Sequence, residues 1–256
     1  MNPLALLWME WIKRPIFNML AVLIDMLWND MGLAIIALTL LVRLLLVKQA
    51  TAGMKMQGEL TDMQPKMQEI QEKYKDDPQR MSSEMMQLLK KSGGGPLKGC
   101  LTMLIQIPVF LGLFFTIKEL ANEHFTTELY SFLYSFSIQL DAINTDFLGM
   151  QLLDNHNVLF TMLAGLAMWA QLKLTALVNP PKKASLPGMD KEGMPDMSKM
   201  MGTMNIVFVI MMAWFVWNMQ SAIGLYIITT TLFGVIQQAI QYRPLLQAKW
   251  QTLWTK

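Results

Sequence analysis

The sequence predicts an all-α integral membrane protein: five transmembrane helices, an outer interfacial helix and a cytoplasmic helical hairpin. Three observations carry this. Hydrophobic residues make up 53% of the 256, charged residues only 16%, and mean hydropathy is +0.32, a balance that disfavours a soluble globule. Five near-continuous apolar runs approach or reach the roughly 20 residues that a spanning helix needs, and none alternates with the period of two of a barrel strand. Five spans also divide the Lys and Arg residues of the connecting segments, counting Lys173 at the cytoplasmic end of the third span, 17 to 3 between the two sides of the membrane.

Residues 1–31 are apolar but interrupted by Lys13 and Arg14, and the piece after Pro15, Ile16 to Trp28, is too short to span. Its Trp28, with Asp25 and Asp30, suggests an amphipathic helix lying in the outer interface. A secretory signal peptide is the plainer alternative, but the basic start and small-residue cleavage pattern of one are lacking. The first span, 32–47, carries one charge, Arg43, set between Leu40-Leu41-Val42 and Leu44-Leu45-Leu46-Val47.

Segment 48–99 holds nine basic and seven acidic residues. Helical spacing through Gln57 to Lys75, with Pro65 as a possible kink, stops at Asp76-Asp77-Pro78 and resumes from Gln79 to Lys91 before Gly93-Gly94-Gly95-Pro96. That describes an antiparallel hairpin. Met56, Leu60, Met63, Met67, Ile70 and Tyr74 mark one face of the first arm, and Met81, Met85, Leu88 and Leu89 mark the second. These methionines hold the arms together on the plain account; on the functional one they form an adaptable apolar surface for varied partners.

The second span is 100–117, apolar from Leu101, and is followed by an outer region, 118–157. A third span, 158–178, leads to an aperiodic cytoplasmic loop, 179–200, that begins Asn179-Pro180-Pro181. The fourth span, 201–217, and the fifth, 221–240, are separated only by Asn218-Met219-Gln220, a tight hairpin, and a basic tail occupies 241–256. The rule that short basic loops stay inside puts the N-terminus out and the C-terminus in.

Arg43 is the most informative residue. A guanidinium within a span costs about 2.5–3.5 kcal/mol on insertion scales unless water or a partner reaches it. No Asp or Glu occurs in any of the five spans, so an internal ion pair is not its explanation. Snorkelling toward the headgroups beside Lys48 is one account; a water-filled cavity facing the cytoplasm is the preferred one. Thr39 shares the helix face of Arg43, four residues earlier. Gln106, Gln171, Asn205, Thr229, Thr230, Thr231 and Gln237 add polar groups in the other spans, each ordinary on its own as an interhelical hydrogen bond but, taken together with Arg43, candidates to line a hydrophilic groove.

Catalysis is not expected. The sequence has no GxSxG, HExxH or Walker A pattern and no paired intramembrane Asp. One cysteine, Cys100, rules out a disulfide framework within the chain, and two histidines, His124 and His156, leave little for a metal site. No catalytic residue, metal or cofactor is therefore assigned. A small transporter or channel for an anionic solute is the rival class, although no inverted repeat or recurrent pair of interrupted helices is evident. A membrane scaffold is a third.

The order of these features resembles the YidC/Oxa/Alb-type membrane protein insertases. The stretches that carry the likeness are Trp11-Ile-Lys-Arg-Pro-Ile-Phe17, Thr39-Leu-Leu-Val-Arg43, Met63-Gln-Pro-Lys-Met67, Asp77-Pro-Gln-Arg80 with Glu84-Met-Met86, and Pro96-Leu-Lys-Gly-Cys100 followed by Leu104-Ile-Gln-Ile-Pro-Val-Phe-Leu111. Gly224-Leu-Tyr226 and Ile236-Gln-Gln238 also fit, so the likeness covers essentially the whole chain. Two departures stand out: no Pro follows Arg43 within Leu44 to Lys48, and Met219-Gln220-Ser221 replaces a Pro common before the last span. The first bears on the exit angle into the hairpin. The form resembled is the minimal five-span one, expected to do without the large extra periplasmic domain and leading span of some bacterial members.

The resemblance implies an insertase and chaperone, without enzymatic turnover, in a bacterial plasma membrane. Nascent membrane proteins would enter from the cytoplasm, with the bilayer, the ribosome and the Sec translocon as further partners and no specific nucleic-acid sequence. A client's polar flank would rest in a hydrophilic groove containing Arg43, lined by Thr39, Gln106 and Tyr226. Its apolar segment would slide into lipid along Ile107, Phe110, Leu113 and Phe114. Bilayer thinning at a hydrated basic cavity lowers the cost of moving a short, often acidic, tail across.

Overall fold

A computed structural model describes residues 9–91, 107–118, 143–180 and 197–247. Gln106 and Cys100, together with most of the outer region and the loop after Pro180, lie outside the described residues. A π-helical turn, Met9–Lys13, leads into α1 (Arg14–Met26), α2 (Met31–Leu45), α3 (Val47–Lys73) and α4 (Pro78–Lys91). The helical stretch Ile107–Lys118 is α5. Two short strands, β1 (Asp146–Phe147) and β2 (Met150–Gln151), precede α6 (Val158–Val178), α7 (Met197–Trp217) and α8 (Ser221–Gln241). Among the described residues α6 and α8 are each long and apolar enough to cross a membrane, and Ile107–Lys118 and Asn205–Trp217 are shorter apolar helices.

The chain divides into two compact units. The first comprises Met1–Leu46, Leu104–Trp169 and Val209–Gly234; the second comprises Val47–Met103, Ala170–Phe208 and Val235–Lys256.

In the first unit, α1 starts with Pro15 in its opening turn, where no intrahelical N–H is required. Phe17, Leu20, Ala21 and Ile24 recur every three or four residues and are all buried. Asp30 caps α2 by accepting from the Leu33 N–H at 2.9 Å. Between these helices Trp28 and Asn29 both have positive φ, 56° and 58°, a turn that reverses the chain within four residues. The β1–β2 hairpin docks beside this turn, because Asn144 N–H donates to the Asn29 carbonyl and Met31 N–H donates to the Asn144 carbonyl. Its two-residue tip, Leu148-Gly149, has φ of 53° and 76°, the left-handed pair that a tight hairpin requires.

The N-terminal half of α8 is the centre of this unit: every residue from Ser221 to Ile228 except the glycine at 224 has a buried side chain. Phe160 of α6 and Val216 of α7 close on Gly224, where an added Cβ would lie 3.2 Å from each. By contrast, the part of α6 in this unit buries only the stripe Phe160, Ala164 and Ala167 and leaves Leu159, Met162, Leu163 and Leu166 outward. A helix apolar on every face with one thin buried stripe suits an apolar surrounding, not water.

In the second unit, α3 and α4 pack as a helical pair. Asp77 starts α4, its carboxylate accepting from the Arg80 N–H at 3.0 Å, with Pro78 at the first helical position. The Arg80 guanidinium lies over the Tyr74 ring, 5.5 Å from its centroid. Met63, Met67, Ile70, Met81, Met85 and Leu88 are half-buried, while Met86 is exposed. The first arm begins at Val47, not at Gln57 as expected, and Pro65 sits inside it. The carboxamide of Gln237 supports that early start, donating to the Val47 carbonyl and to Thr51 Oγ1, both at 3.0 Å. Similarly, α7 begins at Met197, inside the segment expected to be a loop up to residue 200.

Candidate functional site

Arg43 lies in the last turn of α2. Neighbouring Leu44 and Leu45 turn outward, 64% and 74% exposed, whereas the arginine side chain is half-buried. It reaches across to α8, where its Nε–H donates to Thr230 Oγ1 at 2.5 Å. The two residues line a cavity of about 180 Å³ together with Leu38, Thr39 and Val42 of α2, Val109 and Leu113 of α5, and Tyr226 of α8. Pro15, Ile16 and Met19 of α1 complete the wall.

Four of these eleven residues are polar: Thr39, Arg43, Tyr226 and Thr230. Thr39 spends its hydroxyl proton on its own helix, donating to the Ile35 carbonyl at 2.6 Å, so its oxygen is left to accept. Tyr226 is buried, and Thr230 follows it by one turn on the same face of α8. The cavity is thus apolar-walled with one cation. Its volume is close to the ~150 Å³ that accommodates a benzene ring, so it admits one side-chain-sized group at a time and not a helix about 10 Å across.

The four slide residues on α5 divide among three directions. Leu113 is buried and, with Val109 one turn before it, faces the cavity, so it does not lie on an outer surface. Phe110 and Phe114, also one turn apart with ring centroids 6.1 Å apart, join an aromatic cluster. Phe110 lies 6.2 Å from Phe215 of α7 and 6.1 Å from Tyr226 of α8. Ile107 faces outward, 47% exposed, as does Phe115. The structure therefore brings Arg43, Thr39 and Tyr226 together with Thr230, one of the seven further polar groups named from the sequence, leaves Gln106 outside the described residues, and adds the α1 side chains. Thr230 carries a signal in the sequence, its four-residue spacing from Tyr226; the α1 contribution carries none.

No group of three His, Cys, Asp or Glu side chains among the described residues has the arrangement of a metal site. A lone cation under apolar walls, on helices whose outward surfaces are apolar, defines a helical membrane protein. The family described as 60Kd inner membrane protein matches residues 23–248, and the chain belongs to that family. It is similar to the membrane protein insertase YidC of Actinobacillus succinogenes, 31% identical over 238 residues, which are 93% of this chain and 38% of the relative. The same name is borne by relatives in Cellvibrio japonicus, 30% identical over 245 residues (94% and 37%), and Prosthecochloris aestuarii, 29% over 231 residues (89% and 35%). The chain thus spans less than two fifths of the length of these relatives.

Proposed function

We propose that this chain is a membrane protein insertase and chaperone that receives nascent membrane proteins from the cytoplasm through the Arg43 cavity. The observation that carries this is the direction of Arg43, which donates across the cavity to Thr230 instead of extending along its own helix toward Lys48. No carboxylate among the described residues pairs with it. A hydrogen bond to a charged group is worth about 1.5–3 kcal/mol, less than or similar to the insertion cost of the guanidinium, so the charge is held without being neutralised. An acidic group on a client would supply the missing counter-charge.

On this account α2, the segment containing α5, α6, α7 and α8 span the membrane, with the N-terminus out and the C-terminus in, and α1 lies in the outer interface. The 17-to-3 division of basic residues supports that orientation. The small cavity receives one polar side chain at a time, and the client's apolar helix leaves along the exposed flank of α5, at Ile107 and Phe115. Ribosome and Sec translocon deliver clients to it, and the hairpin of α3 and α4 meets them first.

Purified protein in liposomes, supplied with a freshly synthesised client, tests this directly. Protection of the client's tail from added protease should appear only in vesicles that contain the protein. Absence of protection, together with uptake of an anionic solute, would replace insertion with transport.

A further inference from the structure

We propose that Thr230 is a positioning residue that holds the Arg43 guanidinium in the cavity, so that its terminal amino groups are offered to the client; this rests on the insertase function proposed above. An arginine near the inner end of a span has two destinations. It can run along its own helix to the headgroups, or cross to a neighbouring helix that offers an acceptor. The first is favoured by hydration and by side-chain entropy, and only a specific acceptor reverses it.

Three consecutive threonines face this choice, and the structure separates them. Thr229 donates its hydroxyl to the Leu225 carbonyl of its own helix at 2.8 Å. Thr231 is buried and does not line the cavity. Thr230 alone of the three accepts from Arg43. The bond is made through Nε, the one donor outside the terminal fork. The two Nη groups, which make no hydrogen bond to a described residue, retain the four N–H donors of a bidentate grip on a carboxylate. Thr230 thereby does two things: it fixes where the charge sits, and it selects which edge of the guanidinium meets the client.

The test uses the full chain in liposomes and two clients that differ only in having acidic or neutral translocated tails. Thr230→Val, which keeps shape and loses the hydroxyl, should lower insertion of the acidic client by about tenfold, the scale of one hydrogen bond to a charged group, and spare the neutral client. Thr230→Ser should restore insertion. In an Arg43→Ala background, Thr230→Val should add no further loss, because Thr230 acts only through the arginine. Equal losses for both clients, or an undiminished additional loss in the Arg43→Ala background, would make Thr230 a packing residue and overturn the proposal. A silent Thr230→Val beside a damaging Arg43→Ala would overturn the positioning role and leave the insertase function standing. A silent Arg43→Ala would overturn both.

Discussion

Gly32, in the first turn of α2, and Phe147, in β1, are in such close contact that a Cβ on the glycine would lie 2.5 Å from Phe147 Cγ and 2.9 Å from its Cβ. Moving the ring tip alone cannot make room, since the atoms nearest the hairpin backbone are involved. Gly32→Ala should therefore displace the hairpin and destabilise the protein by about 1–3 kcal/mol, the usual cost of overpacking. Thermal unfolding in detergent measures this, and Phe147→Ala in the same protein should recover part of the loss. An unchanged midpoint for Gly32→Ala would show that the hairpin moves freely.

The proposed orientation predicts a labelling pattern. Cysteines placed at Ser92 and at Ser131, in a protein lacking Cys100, should react with impermeant reagents applied from opposite sides, as five spans and the 17-to-3 basic division require. Labelling of both from one side would contradict the five-span topology.

Shortening residues 57–91 to a flexible linker should leave the protein in the membrane and abolish client insertion. The half-buried methionines of α3 and α4 support their mutual packing, and exposed Met86 adds an adaptable apolar contact beyond it. Membrane fractionation and protease protection read the two effects separately. Full insertion by the shortened protein would reduce the hairpin to a spacer.

Sequence patterns reveal some of these elements better than others, for physical reasons. The run 158–178 coincides with α6 because a long apolar stretch bounded by polar residues leaves little freedom at its ends. The stop at Asp76-Asp77-Pro78 is visible because Pro and a capping carboxylate act locally. The break at Leu46 carries no such mark: neither Gly nor Pro stands there, and the start of α3 is supported by Gln237, 190 residues away from Val47. The hairpin at 146–151 is also silent in the sequence, since two-residue strands are too short to alternate and Leu148 occupies a left-handed position usually marked by Asn, Asp or Gly. In the cavity, the isolated charge of Arg43 is legible, and the four-residue spacing from Tyr226 marks Thr230 among three adjacent threonines once Tyr226 is placed on the face of α8 toward Arg43.

The measurement closest to the central claim compares Arg43→Lys and Arg43→Ala on matched clients with acidic and neutral translocated tails. If Arg43 attracts client acids, Arg43→Lys should retain much of the insertion through its point charge, whereas Arg43→Ala should lose chiefly the acidic client. Neutralising that client's tail should then bring the Ala variant and the parent together. Equal defects for acidic and neutral clients, with reduced abundance of the variant, would contradict the account and make Arg43 a structural residue.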